Sequence, residues 1–243
     1  MTILTFSMAV VDFLGAAFFS AGSLILMSML KQDIYIQGIH NYTFFSAGAF
    51  MVMASFLLKL CWDFFYVTGL SNYPLLLDCF FPFQAFGFLL MSIGFLGYIV
   101  NDNKRSRIAK IIYGTVSGLI MLCLVILFAL LTRNNLFHVP HYVLVADDKI
   151  PFVVSVFFSG LVLSVSFSIK AFQRKRYLVF LFFIMAFLLQ TARYLTEAYA
   201  LPSVIVQWTV HSSDAICQAL FMAGTLFIRL PQSNEGGTIR DYF

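Results

Sequence analysis

Charge is what this sequence has least of: 11% of its 243 residues are Asp, Glu, Lys or Arg against 61% hydrophobic, and its mean hydropathy is +0.91. That balance excludes an ordinary soluble domain, in which about a quarter of the residues are charged. Cysteine is equally sparse. Cys61, Cys79, Cys123 and Cys217 all fall inside apolar stretches without metal-ligand spacing, so they read as small apolar residues and not as a zinc ribbon or a disulfide framework. Of the four histidines only His211 is expected inside a span, which excludes a haem held by paired axial histidines. No metal and no cofactor is expected. Met1 to Asp12 lacks a basic stretch, so the first apolar segment is expected to be a retained helix and not a cleaved signal peptide.

Long apolar runs are what the chain has instead. About 20 apolar residues suffice to cross the hydrocarbon core as a helix, and seven such stretches lie near 5–30, 43–68, 76–100, 108–132, 151–172, 178–199 and 203–229. The expectation is an all-α integral membrane protein, a seven-transmembrane-helix bundle forming one domain over 1–243. Its longest loop runs from Arg133 to Ile150, and 230–243 is a short tail.

Orientation follows from Lys and Arg, which are retained on the cytoplasmic side. Lys31, Lys104, Arg105, Arg107, Lys110, Lys170, Arg174, Lys175, Arg176, Arg229 and Arg240 fall at the ends of odd helices or in the tail. Arg133 and Lys149 lie in an opposite-side loop, and Lys59 and Arg193 fall inside spans. The N-terminus is therefore expected outside and the C-terminus inside, in a multi-pass protein of the plasma membrane. The formal charge of +4 is this topological bias and gives no reason to expect nucleic acid. The run "QRKRY" at 173–177 could additionally touch anionic lipid or a protein partner.

Three stretches repeat. "FFSAGSLILMSMLK" at 18–31 parallels "FFSGLVLSVSFSIK" at 157–170, "MASFLLK" at 53–59 parallels "MAFLLQ" at 185–190, and "LMSIG" at 90–94 parallels "LFMAG" at 220–224. Corresponding helices are four spans apart and so share orientation. This predicts a 3+1+3 parallel internal repeat: a first triplet over 1–100, a linking helix at 108–132 and a second triplet over 151–229. Parallel repeats are one transporter plan, with the site at the repeat interface near mid-membrane.

In topology alone the chain resembles SWEET-type sugar facilitators, microbial rhodopsins and the seven-helix sensor modules that precede histidine kinases. Residues 203–229 contain no Lys to form a retinal Schiff base. "FPFQ" at 81–84 only loosely echoes the Pro-Gln pair of SWEET-like helices, and a kinase would be expected to continue beyond the last span. No family motif is met.

Polar residues inside these spans are costly and mark sites or pathways. In the second span Ser55, Lys59, Asp63 and Tyr66 share one face at i, i+4, i+8 and i+11. Gln190, Arg193 and Glu197 form a face of the sixth, and Gln207, His211, Asp214 and Gln218 a face of the seventh. Lys59 with Asp63 and Arg193 with Glu197 are spaced to pair. Asp12 and Asp78 are expected to reach water, which leaves Asp214 beside His211 as the unbalanced pair, with His211 held by that carboxylate. The inner halves carry Gly22, Ser28, Ser46, Gly48, Gly94 and Gly224, as close helix packing requires. Trp62, Tyr66, Tyr194, Tyr199 and Trp208 could line an aromatic pocket or form an interfacial belt. "HVPH" at 138–141, with Asp147 and Asp148 nearby, is expected to be a plain loop and not a zinc site.

The expected ligand-binding set is Lys59, Asp63, Gln190, Arg193, Glu197, His211 and Asp214. The expected function is that of a non-enzymatic receptor or sensor for a small cationic or proton-linked ligand. It would sit in the lipid bilayer and signal through a separate cytoplasmic-side protein partner. The alternatives are a facilitative or proton-coupled transporter of 3+1+3 architecture and an intramembrane lipid-modifying enzyme.

Overall fold

The computed structural model describes residues 5–32, 39–70, 74–102, 107–133, 146–199 and 203–229. They form seven helices: α1 (Phe6–Gln32), α2 (Ile39–Thr68), α3 (Pro74–Asp102), α4 (Arg107–Arg133), α5 (Ala146–Gln173), α6 (Tyr177–Tyr199) and α7 (Val204–Arg229). The apolar runs predict these elements to within a few residues. The largest differences are α2 and α5, each of which begins four or five residues earlier, so that His40 lies inside α2. Five helices, α1 to α5, are long and apolar enough to cross a membrane. The apolar part of α6 spans only Tyr177–Arg193, and α7 spends Gln207, His211, Asp214 and Gln218 on its first turns.

Six helices close into a ring in the order α1, α2, α3, α5, α6, α7 and back to α1, and α4 lies outside it, against α3 with a lighter contact to α5. Glycines explain the tightest seams. Gly48 on α2 meets Gly87 of α3 so closely that a Cβ at either position would collide with the other's carbonyl oxygen. Gly94 of α3 sits against the α2 backbone at Phe45, and Gly224 of α7 sits against Phe183 of α6. Gly22 of α1 faces Phe221 and Met222 of α7. Small residues let the backbones approach until dispersion contacts are made without gaps. α4 has no such seam. Ile120 and Leu127, seven residues apart, turn inward from it, while Ile112, Leu119, Leu122, Val125 and Phe128 are exposed.

A column of rings fills the lower middle of the bundle. Phe167 of α5 lies 4.1 Å from Phe95 and 4.6 Å from Phe183, Phe221 stacks on Phe19 at 5.5 Å, and Phe19 is 5.4 Å from Phe56. Offset and edge contacts at these separations add to the burial term. The column therefore joins α1, α2, α3, α5, α6 and α7 across the axis.

Two helix ends show how the chain reverses. Gly69 follows α2 at φ 68°, a left-handed conformation that a glycine adopts freely. α5 ends in a Schellman turn, in which the Arg176 amide donates to the Ala171 carbonyl at 2.9 Å and the Lys175 amide to the Phe172 carbonyl at 2.9 Å. The left-handed position there is taken by Lys175, at φ 55°. A residue with a Cβ costs about 1–2 kcal/mol in that conformation.

Candidate functional site

The polar faces of four helices converge near the end of the bundle where α1 and α7 begin and α2 and α6 finish. Asp12 is the hub. Its Oδ2 accepts from Lys59 Nζ of α2 at 2.6 Å, and its Oδ1 lies 2.7 Å from His211 Nδ1 of α7. Asp12 sits on the buried stripe of α1 that runs Met8, Asp12, Gly15, Phe19, Gly22. Gly15 brings that stripe against Ala215 of α7, which is why a short Asp can reach His211. The expectation that Asp12 reaches water is corrected: it is 5% exposed. So is the expected pairing of His211 with Asp214. Asp214 instead accepts from Arg193 Nη1 of α6 at 2.6 Å, because the two lie at one level on facing helices.

Lys59 likewise reaches across to α1 and not along α2 to Asp63. Asp63 is 1% exposed and lies near Lys59 and Asp12, but neither carboxylate oxygen has a described partner within 3.5 Å. Glu197 lies in α6 with its side chain outside the described residues, as are the side chains of Asp78, Tyr194 and Tyr199. The expected Arg193–Glu197 pair therefore falls outside the description. The "HVPH" segment also lies outside it, and no group of metal-ligating side chains occurs among the described residues. Trp62 is buried and stacks on Tyr66 at 5.1 Å.

Among the described side chains of this network, three carboxylates face two fixed cations. The carboxylates are Asp12, Asp63 and Asp214, the cations Lys59 and Arg193. One proton or other positive charge added to these groups brings the network to neutrality. Uncompensated charge in a low-dielectric interior costs several kcal/mol, so the network gains most from holding that proton or an equivalent positive group.

Below the charges lies a cavity of about 70 Å³ between α1, α3, α5, α6 and α7. Phe19, Phe88, Phe183 and Phe187 form much of its wall, and Gln190 and Gln218 bring amides to it. The Oε1 of Gln190 has no hydrogen-bond partner. Cys217 also borders the cavity and turns its Sγ to the Ala186 carbonyl at 3.2 Å. Gln190 thus belongs to the chamber, and the other described members of the expected set to the charged layer above it.

Three further buried polar residues stand outside the expected ligand-binding set. Gln84 of α3 is fully buried, with both amide atoms lacking partners. Its signal was its position, one turn from both Phe80 and Phe88 on a single stripe. Gln218 was visible as part of the α7 face. Lys170, read as a cation at a helix end, is only 3% exposed and holds its ammonium 4.6 Å from the Tyr98 ring, an attractive cation–π geometry.

Set against protein-family models, curated proteins and solved structures, the chain matches none, so its functional reading rests on this geometry and on its membrane-embedded helical architecture.

Proposed function

We propose that this is a receptor- or sensor-like membrane protein, non-enzymatic, whose charged layer takes up a proton or a small cationic ligand and passes the change to a separate protein partner. The observation that carries this reading is the shared carboxylate of Asp12, which ties α1 to α2 and to α7 while Asp63 stands beside it with no described donor on either oxygen. A cation arriving at Asp63, or a proton gained or lost at His211, changes which groups Asp12 must serve. The charged groups facing one another there are Asp12 from α1, Lys59 and Asp63 from α2, Arg193 from α6, and His211 and Asp214 from α7. Differential contact of this kind is what allows a ligand to shift a conformational equilibrium. The ligand side is read as extracellular and the membrane as the plasma membrane, from the distribution of basic residues.

The test is thermal stability of the purified chain between about pH 5 and about pH 8 against a panel of small cations, amino acids and sugars. A ligand bound only by the folded state raises the apparent melting temperature by mass action. The expected outcome is a ligand-dependent rise that both Asp63→Asn and His211→Ala remove. No rise with any ligand, together with variants that are merely less stable, would reduce the network to a structural one.

A second reading is favoured by the ring itself. Six helices close as a ring around a chamber with α4 left outside, and Gly94 and Gly224, aligned in the expected repeat, pack on α2 and α6 respectively. This supports a 3+1+3 transporter in which the phenylalanine column is the closed gate. Solute flux into liposomes, expected for the transporter and absent for the sensor, separates the two.

A further inference from the structure

At the opposite end from the charged layer, α5 and α6 part to leave a groove of about 510 Å³ open on the outside of the bundle. Val165, Ile169, Phe172, Phe180 and Ile184 line it. At one end Ser164 and Phe187 are shared with the central cavity; at the other the groove reaches Gln173, the residue before Arg174, Lys175 and Arg176. An apolar trough that runs from a basic turn into the bilayer has the polarity of a single lipid. We propose that the α5–α6 turn and its groove form a site for one anionic lipid, with the headgroup on Lys175 and Arg176 and an acyl chain lying in the groove toward Phe187.

Two observations, at Lys175 and at Arg176, point to an anion, and a third, at Arg174, fixes the turn that presents them. Lys175 is exposed and holds the left-handed position of the Schellman turn, where glycine serves the backbone better, as it does after α2. The chain keeps an ammonium there against its conformational preference. Arg174 is committed inward, its Nη1 donating to the Ile228 carbonyl of α7 at 2.6 Å, which anchors the turn to the ring. Burial and then the Arg174 guanidinium lower the pKa of Arg176, so an anion seated there offsets both. Within the groove Ser168 is buried and its hydroxyl has no partner; the ester carbonyl of a lipid is an acceptor that would fill that need.

The site is separate from the charged layer, so its test does not depend on the sensor reading. The full chain is reconstituted in nanodiscs of phosphatidylcholine alone or with phosphatidylglycerol, and the melting temperature is read in each. Phosphatidylglycerol is expected to raise it. Lys175→Gly is the decisive variant, because it relaxes the turn while removing the charge. It is expected to melt higher than the parent in phosphatidylcholine and to weaken the preference for phosphatidylglycerol about fivefold, the effect of one interfacial cation. A preference unchanged in Lys175→Gly overturns the proposal. Phe180→Trp supplies a second readout: phosphatidylglycerol brominated on its chain is expected to quench this tryptophan more strongly than brominated phosphatidylcholine. Equal quenching by the two overturns a headgroup-selected site, whether or not a protein partner docks on the same turn.

Discussion

Asp12 satisfies two partners with two oxygens, so its replacement by Asn leaves Lys59 and His211 to be compensated by Asp63 alone. Breaking one side of a buried pair costs about 3–5 kcal/mol. Asp12→Asn is expected to lose that much in denaturation of the detergent-purified protein, and Asp12→Leu combined with Lys59→Met to recover part of it, giving a coupling of about 1 kcal/mol or more in a double-mutant cycle. Which residues are polar, and on which helical face, was legible: Lys59, Asp63, His211 and Asp214 were placed correctly on their helices by spacing. Who pairs with whom was not. Spacing along one helix favours Lys59–Asp63, whereas the observed partners lie on neighbouring helices whose level and rotation are set by packing. The small residue Gly15, one turn below Asp12, was the local sign that α1 turns this stripe inward.

Helix by helix, the seven elements were legible because each carries a run of apolar residues, five of them long enough to cross a membrane, and the ends shift by only a few residues. Harder to read was the use of each helix. Nothing in the run from Arg107 to Arg133 says that it stays outside the ring. Gly114 and Gly118 of α4 face open space, whereas a Cβ on Gly48 of α2 would meet backbone atoms of α3. Gly48→Ala is therefore expected to destabilise by about 1–3 kcal/mol through overpacking. Gly118→Ala is expected to be neutral or to stabilise by up to about 1 kcal/mol through helix propensity. Melting temperatures of the two single variants, measured in the same detergent, check this contrast.

For the molecule as a whole, the charged layer, the chamber and the phenylalanine column that helps to wall it each draw on helices from both halves of the chain. Phe167 touches the rings of Phe95, Phe183 and Phe221. Phe167→Ala is expected to cost about 3–5 kcal/mol of stability and, on the transporter reading, to raise passive leak of solute through liposomes carrying the protein. An unchanged leak would count against the column as a gate. The ring also has a history in time. Its closing seam joins α1 to α7, and the Asp12–His211 contact spans 199 residues. A chain emerging N-terminus first holds Asp12 and Lys59 in the bilayer through the synthesis of four further helices before His211 arrives. α7 is thus the helix that secures α1, and until it is made the nascent chain carries an open seam with an unfinished charge cluster, a mark by which copies lacking it differ from those that have it.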